Sequence, residues 1–131
     1  MTITILLVDD NPTFVLAVRQ FLDRLPATHV VGEAHDGREA LAKAAELAPE
    51  LMLLDIGLPR LNGLEVARAM QSWARAPRII FLTMHDNNAY REAARDLGAM
   101  GFVGKADFVL ELLPMIEQIA VDNSCSGEQL P

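Results

Sequence analysis

Apolar residues along this chain alternate between two spacings. Short apolar-rich runs occur at Ile3–Val8 (with only Thr4 polar), Val30–Ala34, Leu51–Leu54 and Arg78–Leu82, with a weaker one at Gly101–Val103. Runs of this length, stopped by Gly, Pro or Asp, predict strands buried on both faces, as in a parallel sheet. Between them apolar residues recur at helical spacing. Phe14, Val18, Phe21, Leu22 and Leu25 follow Asn11-Pro12, a capping residue and a proline suited to a first turn. Arg38 to Ala48 follows Asp36-Gly37 and stops at Pro49, and Val66, Ala67, Met70 and Ala74 mark a helix between Asn62-Gly63 and Pro77. Asn87 to Leu97 carries the thinnest apolar face of the set. Val109, Leu112, Leu113, Ile116 and Ile119 follow Asp107, with Pro114 inside the pattern, where it removes one backbone hydrogen bond and predicts a kink. Five strand–helix alternations predict right-handed crossovers and an α/β fold with helices on both faces of a parallel sheet.

Composition narrows this only a little. The chain has 131 residues, a one-domain length. Apolar residues make up 51% and aromatic residues 5%, so aliphatic side chains must fill the core. A net charge of -7 argues against nucleic acid as a partner of this segment, because phosphate binding needs a basic face. The single Cys125, in the tail, excludes an internal disulfide and any multi-cysteine metal site. No stretch approaches the roughly 18 apolar residues of a membrane span and no basic-then-apolar leader opens the chain, so a cytoplasmic location is expected.

The chemistry gathers at the strand ends. Asp9 and Asp10 end the first run, Asp55 ends the third, Thr83 follows the fourth and Lys105 lies just beyond the fifth. Open α/β sheets place their ligands at this carboxyl edge. Three acids there repel one another unless something cationic lies between them. Mg²⁺ takes oxygen ligands, which Asp10, Asp55 and the Gly57 carbonyl could supply, with Asp9 holding a metal-bound water. An ionised Asp55 could then act as a carboxylate nucleophile. Phosphoryl transfer asks chiefly for charge neutralisation, which the metal, Lys105 and the Thr83 hydroxyl would provide.

The segments Leu6-Leu7-Val8-Asp9-Asp10-Asn11-Pro12, Asp36-Gly37-Arg38-Glu39-Ala40-Leu41, Leu53-Leu54-Asp55-Ile56-Gly57-Leu58-Pro59, Asn62-Gly63-Leu64-Glu65, Phe81-Leu82-Thr83-Met84-His85-Asp86 and Gly98-Ala99-Met100-Gly101-Phe102-Val103-Gly104-Lys105-Ala106 resemble, in order, the receiver domain of two-component response regulators. The similarity runs from about Ile3 to Ala120 and is strongest to LuxR/NarL-type transcription regulators. It implies a flavodoxin-like sheet in the order 2-1-3-4-5. It further implies that Asp55 accepts a phosphoryl group from a histidine kinase or a small donor such as acetyl phosphate. Asp9, Asp10 and Asp55 with the Gly57 carbonyl would hold Mg²⁺, Lys105 and Thr83 would bind the phosphoryl group, and Phe102 would follow Thr83 as the switch residue.

The resemblance covers a receiver over residues 1–120, the polar composition of 121–131 reads as a linker or disordered tail, and the family implies that it leads to a DNA-binding domain absent from this segment. Control of transcription would be the output, with homodimerisation on phosphorylation and DNA contacted only through the absent domain. Three departures stand out: Asn11 where many relatives have His, Phe102 without a tyrosine hydroxyl, and Ala106 after Lys105 where other subfamilies have Pro. A cis peptide at that last position would be a costly non-proline one, about 2.5–4 kcal/mol.

Simpler accounts compete for each residue. Asp9-Asp10 could merely cap the next helix, Lys105 alone would be a surface charge and Thr83 alone an ordinary strand residue; only the ordered set argues otherwise. His85 lacks a partner nucleophile and is expected to be a loop histidine near the site, while His29 and His35 are expected at the surface. Glu65 and Arg68 are expected to form a solvated helix pair. An enzyme of haloacid-dehalogenase type also uses a strand-end Asp, yet it needs an acid where this chain has Gly57. A receiver-like scaffold that is never phosphorylated and a stand-alone single-domain receiver complete the alternatives.

Overall fold

Strands β1 (Ile3–Val8), β2 (Thr28–Ala34), β3 (Leu51–Asp55), β4 (Arg78–Thr83) and β5 (Gly101–Gly104) alternate with helices α1 (Pro12–Asp23), α2 (Gly37–Leu47), α3 (Gly63–Met70), α4 (Asn88–Asp96) and α5 (Phe108–Glu128). This computed structural model describes residues 2–84 and 87–128. All strand pairs are parallel and the sheet order is β2-β1-β3-β4-β5.

Strand alternation sends side chains to two cores. Ile3, Ile5 and Leu7 of β1, Leu51 and Leu53 of β3, and Ile80 and Leu82 of β4 meet Val15, Val18, Leu22, Leu112, Ile116 and Ile119 of α1 and α5. Leu6, Val8, Met52, Leu54 and Phe81 meet Ala40, Ala44, Val66, Ala67, Met70 and Ala94 of α2, α3 and α4 on the other face. Every residue of β3 is buried. At about 1.5–3 kcal/mol for each large aliphatic side chain removed from water, this doubly covered central strand fixes the position of whatever follows Leu54.

Several element ends differ from their expected positions. The Ala74 end expected for α3 is wrong: the helix stops at Met70. Its last turn tightens, with the Gln71 and Trp73 amides donating to the carbonyls of Arg68 and Met70, and Trp73 packs on the core from that turn rather than from a helix. Helix α5 continues through Glu128 instead of ending near Ala120. No glycine or proline interrupts residues 115–126, and Gln118 Nε2 donates to Asp122 Oδ1 one turn on, at 3.0 Å. Pro114 sits inside this helix. It and Leu110, whose carbonyl loses its helical donor, are both solvent-exposed, so water can satisfy that carbonyl.

Glu65 has a different job from the ion pair expected with Arg68. Its carboxylate accepts from the Asn62 amide at 3.1 Å while Asn62 Oδ1 accepts from the Glu65 amide at 2.9 Å, a reciprocal capping box. His29 and His35 are exposed as expected, but His35 Nδ1 lies 3.2 Å from Glu39. His85, expected as a loop histidine near the site, lies outside the described residues, and the Cys125 side chain outside the described side chains.

Candidate functional site

Sheet register assembles the site. Val8 pairs with Leu54, so Asp9 and Asp55 emerge side by side one step further on. Asp55 pairs with Leu82, which puts Thr83 at the next strand's end, and Thr83 pairs with Gly104, the residue before Lys105. All four side chains are thereby delivered to one edge by strands held from both faces. Asp9, Asp55 and Thr83 are the buried polar residues among those described, at 2%, 5% and 4% exposure, against a strong tendency of carboxylates to stay in water unless paired.

The Lys105 ammonium lies 2.6 Å from Asp9 Oδ2 and 3.4 Å from Asp55 Oδ2, with its side chain almost fully buried. It also lies 4.8 Å from the centre of the Phe14 ring, a cation–π contact from α1. Asp55 Oδ1 accepts from the Gly57 amide at 3.1 Å, and Asp9 Oδ1 accepts from the Asn11 amide at 2.8 Å. Asn11, not Asp9 or Asp10, caps α1: its Oδ1 accepts from the amides of Thr13 and Phe14. The capping account of the acid pair therefore fails. Asp10 is exposed on the rim and points no cap at the helix.

One lysine does not balance this group. Carboxylate oxygens of Asp9, Asp10 and Asp55 lie within 4.8 Å of one another. Burial, and then the neighbouring Asp9 charge, push the Asp55 carboxyl above the usual carboxylate range against the pull of Lys105 and the Gly57 amide. Asp9 Oδ2, though close to the ammonium, makes no aligned hydrogen bond and is otherwise sealed from solvent. A buried acceptor left this way is costly and fits a site that takes up a further cation of hard, oxygen-seeking type.

A cleft of about 280 Å³ opens over these groups, lined by Asp10, Asn11, Asp55, Ile56, Gly57, Thr83, Met84, Tyr90 and Lys105. That space holds a phosphoryl group with room for water around it. Phe102 stands apart from it. It pairs with Phe81 on β4, is half-buried against the α2–α4 core, and carries the Arg91 guanidinium 4.8 Å over its ring. By strand alternation Phe102 and Thr83 share that face of the sheet, whereas Asp9 and Asp55 follow the rows of Leu7 and Leu53 toward α1 and α5.

Phe14, Tyr90 and Glu111 were missed as site residues. Glu111 Oε2 accepts from the Gly104 amide at 3.2 Å and steadies the strand end that carries Lys105. Phe14 read only as part of the apolar face of α1, and nothing in a one-dimensional pattern brings α5 or α4 to this edge. The peptide bonds are all trans among the described residues, Lys105-Ala106 included.

The doubly wound five-stranded sheet gathers a buried carboxylate, an acidic pair, a hydroxyl and a lysine at its carboxyl edge, where folds of this class bind their ligands. Residues 5–117 match the response regulator receiver domain family, and the chain belongs to that family, whose members are phosphorylation-activated signalling switches. The Escherichia coli nitrate/nitrite response regulator protein NarL is 32% identical over 127 residues, covering 97% of this chain and 59% of that protein. A Myxococcus xanthus protein-glutamate methylesterase/protein-glutamine glutaminase is 39% identical over 104 residues, 79% of this chain and 30% of that protein. Among solved structures, a LuxR-family two-component response regulator from Aurantimonas sp. SI85-9A1 superposes with a TM-score of 0.85 at 36% identity, covering 93% of this chain and 87% of that one. These similarities include the LuxR/NarL-type regulators. The chain spans about half the length of the curated relatives it matches first. Among the described residues no helix is long and apolar enough to cross a membrane.

Proposed function

We propose that this receiver accepts a phosphoryl group on Asp55 from a histidine kinase and turns the occupancy of that carboxylate into a change on the α4–β5 side of the domain. The observation that carries the reading is the position of Asp55: buried, flanked by Asp9 and Lys105, and lining an open cleft with room for a phosphoryl group. Asp9, Asp10, Asp55 and the Gly57 carbonyl would hold Mg²⁺. When bound, that ion supplies charge neutralisation for the acidic cluster and for an incoming phosphoryl group.

The chain's own residues divide the remaining work. Asp55 attacks phosphorus as a carboxylate and has no proton to lose, so no general base is required. The Lys105 ammonium, already 3.4 Å from Asp55, shifts its attraction from the carboxylates to the phosphoryl oxygens. The Thr83 hydroxyl, on a residue that lines the same cleft, donates to one of those oxygens. Moving Thr83 frees space on the face it shares with Phe102, and Phe102, resting under Arg91 rather than deep in the core, turns inward. Helix α4 is the element best suited to follow, because Ala94 is its one fully buried residue and weakly held elements move first.

In this reading the chain catalyses only its own phosphorylation and dephosphorylation and works in the cytoplasm. Residues 121–131 lead toward an output domain outside this segment. The similarity to NarL and to LuxR-family regulators supports a DNA-binding output and control of transcription, with receiver dimerisation as the coupling step. Intact-protein mass after incubation with acetyl phosphate and Mg²⁺ tests the proposal. One phosphoryl group should appear on the wild type and be absent both from Asp55→Asn and from wild type treated with chelator. A folded wild type that gains nothing from acetyl phosphate or from any histidine kinase would leave a receiver-like scaffold instead.

A further inference from the structure

Tyr90, the only tyrosine in the chain, lines the same cleft as Asp55, together with Thr83, Met84 and Gly57. It lies in the first turn of α4, where its amide donates to the Asn87 cap at 2.8 Å. Its ring is half-buried and packs against the α2–α4 core, so the ring is held rather than free to swing. The rest of the described rim is thin. Gly57 has no side chain, and a Cβ there would meet nothing closer than Asp55 Oδ1 at 3.8 Å. Met84 is 72% exposed, and Asp10 and Asn11 lie open to solvent.

We propose that the Tyr90 ring is the water screen of this site, a positioning residue that sets how long the phosphoryl group stays on Asp55. The inference rests on Asp55 being the phosphoacceptor. Loss of the group is a displacement: a water oxygen bonds to phosphorus as the bond from phosphorus to the Asp55 oxygen breaks. The electron pair returns to the Asp55 carboxylate, one proton of the water stays on the departing phosphate and the other goes to solvent. That water must arrive from the side of phosphorus opposite Asp55, which is the open side of the cleft. Water excluded from that approach lengthens the life of the intermediate. A flat ring anchored in the core narrows the approach, whereas its hydroxyl is not needed for screening. The ring also sits on α4, so a shift of that helix would change the lifetime along with the output surface.

The test follows the decay of phosphorylated protein by intact mass after the donor is removed, for wild type, Tyr90→Phe, Tyr90→Ala and Tyr90→Trp. Tyr90→Phe should decay at the wild-type rate. Tyr90→Ala should decay at least about threefold faster, the rate equivalent of about 0.65 kcal/mol of barrier, and Tyr90→Trp should decay no faster than wild type. Tyr90→Phe as fast as Tyr90→Ala would overturn the inference, as would a folded Tyr90→Ala with unchanged or slower decay. If Tyr90→Ala does not fold, acceleration in Tyr90→Trp overturns it, and wild-type-like or slower decay there supports it. A wild type that never gains a phosphoryl group sinks the phosphoacceptor reading and this inference with it, an outcome distinct from equal decay rates.

Discussion

Replacing Asp55 by Asn should make the metal-free domain more stable, although Asp55 is the proposed phosphoacceptor. The side chains are nearly the same size, so the change removes charge and little else. At an effective dielectric of 20, the ammonium 3.4 Å away attracts the Asp55 carboxylate by about 5 kcal/mol. The Asp9 oxygens within 4.8 Å repel it by about 3.5 kcal/mol or more. The balance is an attraction of at most about 1.5 kcal/mol, smaller than the several kcal/mol that dehydrating a carboxylate costs. Burial therefore decides the sign, in agreement with the raised Asp55 pKa, for which burial is the leading cause.

A gain of about 1 kcal/mol corresponds to a rise in Tm of roughly 3–5 °C for a domain of this size. Thermal unfolding followed by circular dichroism in chelator at neutral pH is the assay. The pH dependence has a definite sign. A carboxyl whose folded pKa is raised favours folding most when protonated, and that contribution is lost as pH rises through the folded pKa. The stability gap between variant and wild type should accordingly shrink as pH falls toward the ordinary carboxylate range. Millimolar Mg²⁺ should stabilise the wild type more than the variant, which lacks one of the proposed ligands. A variant that melts below wild type in chelator, with a gap independent of pH, would refute this electrostatic account.

Other consequences are as specific. Gly63→Ala would put a Cβ 2.3 Å from the Asp55 carbonyl oxygen and 2.9 Å from Ile56 Cα, both backbone contacts, and should lower urea stability by about 1–3 kcal/mol. Asn62→Ala breaks the capping box of α3 and should cost about 1 kcal/mol in the same assay, while leaving phosphorylation of Asp55 intact. Thr83→Ala should still accept a phosphoryl group, but amide exchange in α4 and β5, expected to change on phosphorylation of wild type, should change little in the variant. Lys105→Met leaves the buried Asp9 without its cation and should destabilise the metal-free domain by about 3 kcal/mol, an effect that added Mg²⁺ partly reverses.

Much of this was readable from the chain because the parallel sheet writes itself as uniform apolar runs, and a run such as Leu51–Leu54 fixes which residue reaches the carboxyl edge. Asp9, Asp55, Thr83 and Lys105 could be placed that way, since each follows a strand by zero or one residue. The side chains that tune the site come from helices packed against the edge from a distance in sequence. Phe14 under Lys105, Glu111 holding Gly104 and Tyr90 lining the cleft look like ordinary positions on their own helices. The end of α3 was misjudged because Ala74 continues the helical spacing while the chain turns back early to start β4. Helix beyond Ala120 was not expected because the composition there is polar, a weak guide when no Gly or Pro occurs between residues 115 and 126 and the chain finds local partners. There Asn123 Nδ2 donates to Glu50 at 3.3 Å, and Asp122 lies 3.6 Å from Arg78. Exposed pairs of this kind contribute about 1 kcal/mol or less each, enough to bias the direction of the last turns without fixing them.

The central claim is that one carboxylate among three clustered acids takes the phosphoryl group. Borohydride reduction of protein treated with acetyl phosphate and Mg²⁺ tests it most directly, because hydride converts an acyl phosphate to an alcohol and leaves homoserine where the phosphoaspartate stood. Peptide mass mapping should find homoserine at position 55 and unmodified aspartate at Asp9 and Asp10. Homoserine at either of those two, or phosphorylation with Asp55 left as aspartate, would contradict the assignment.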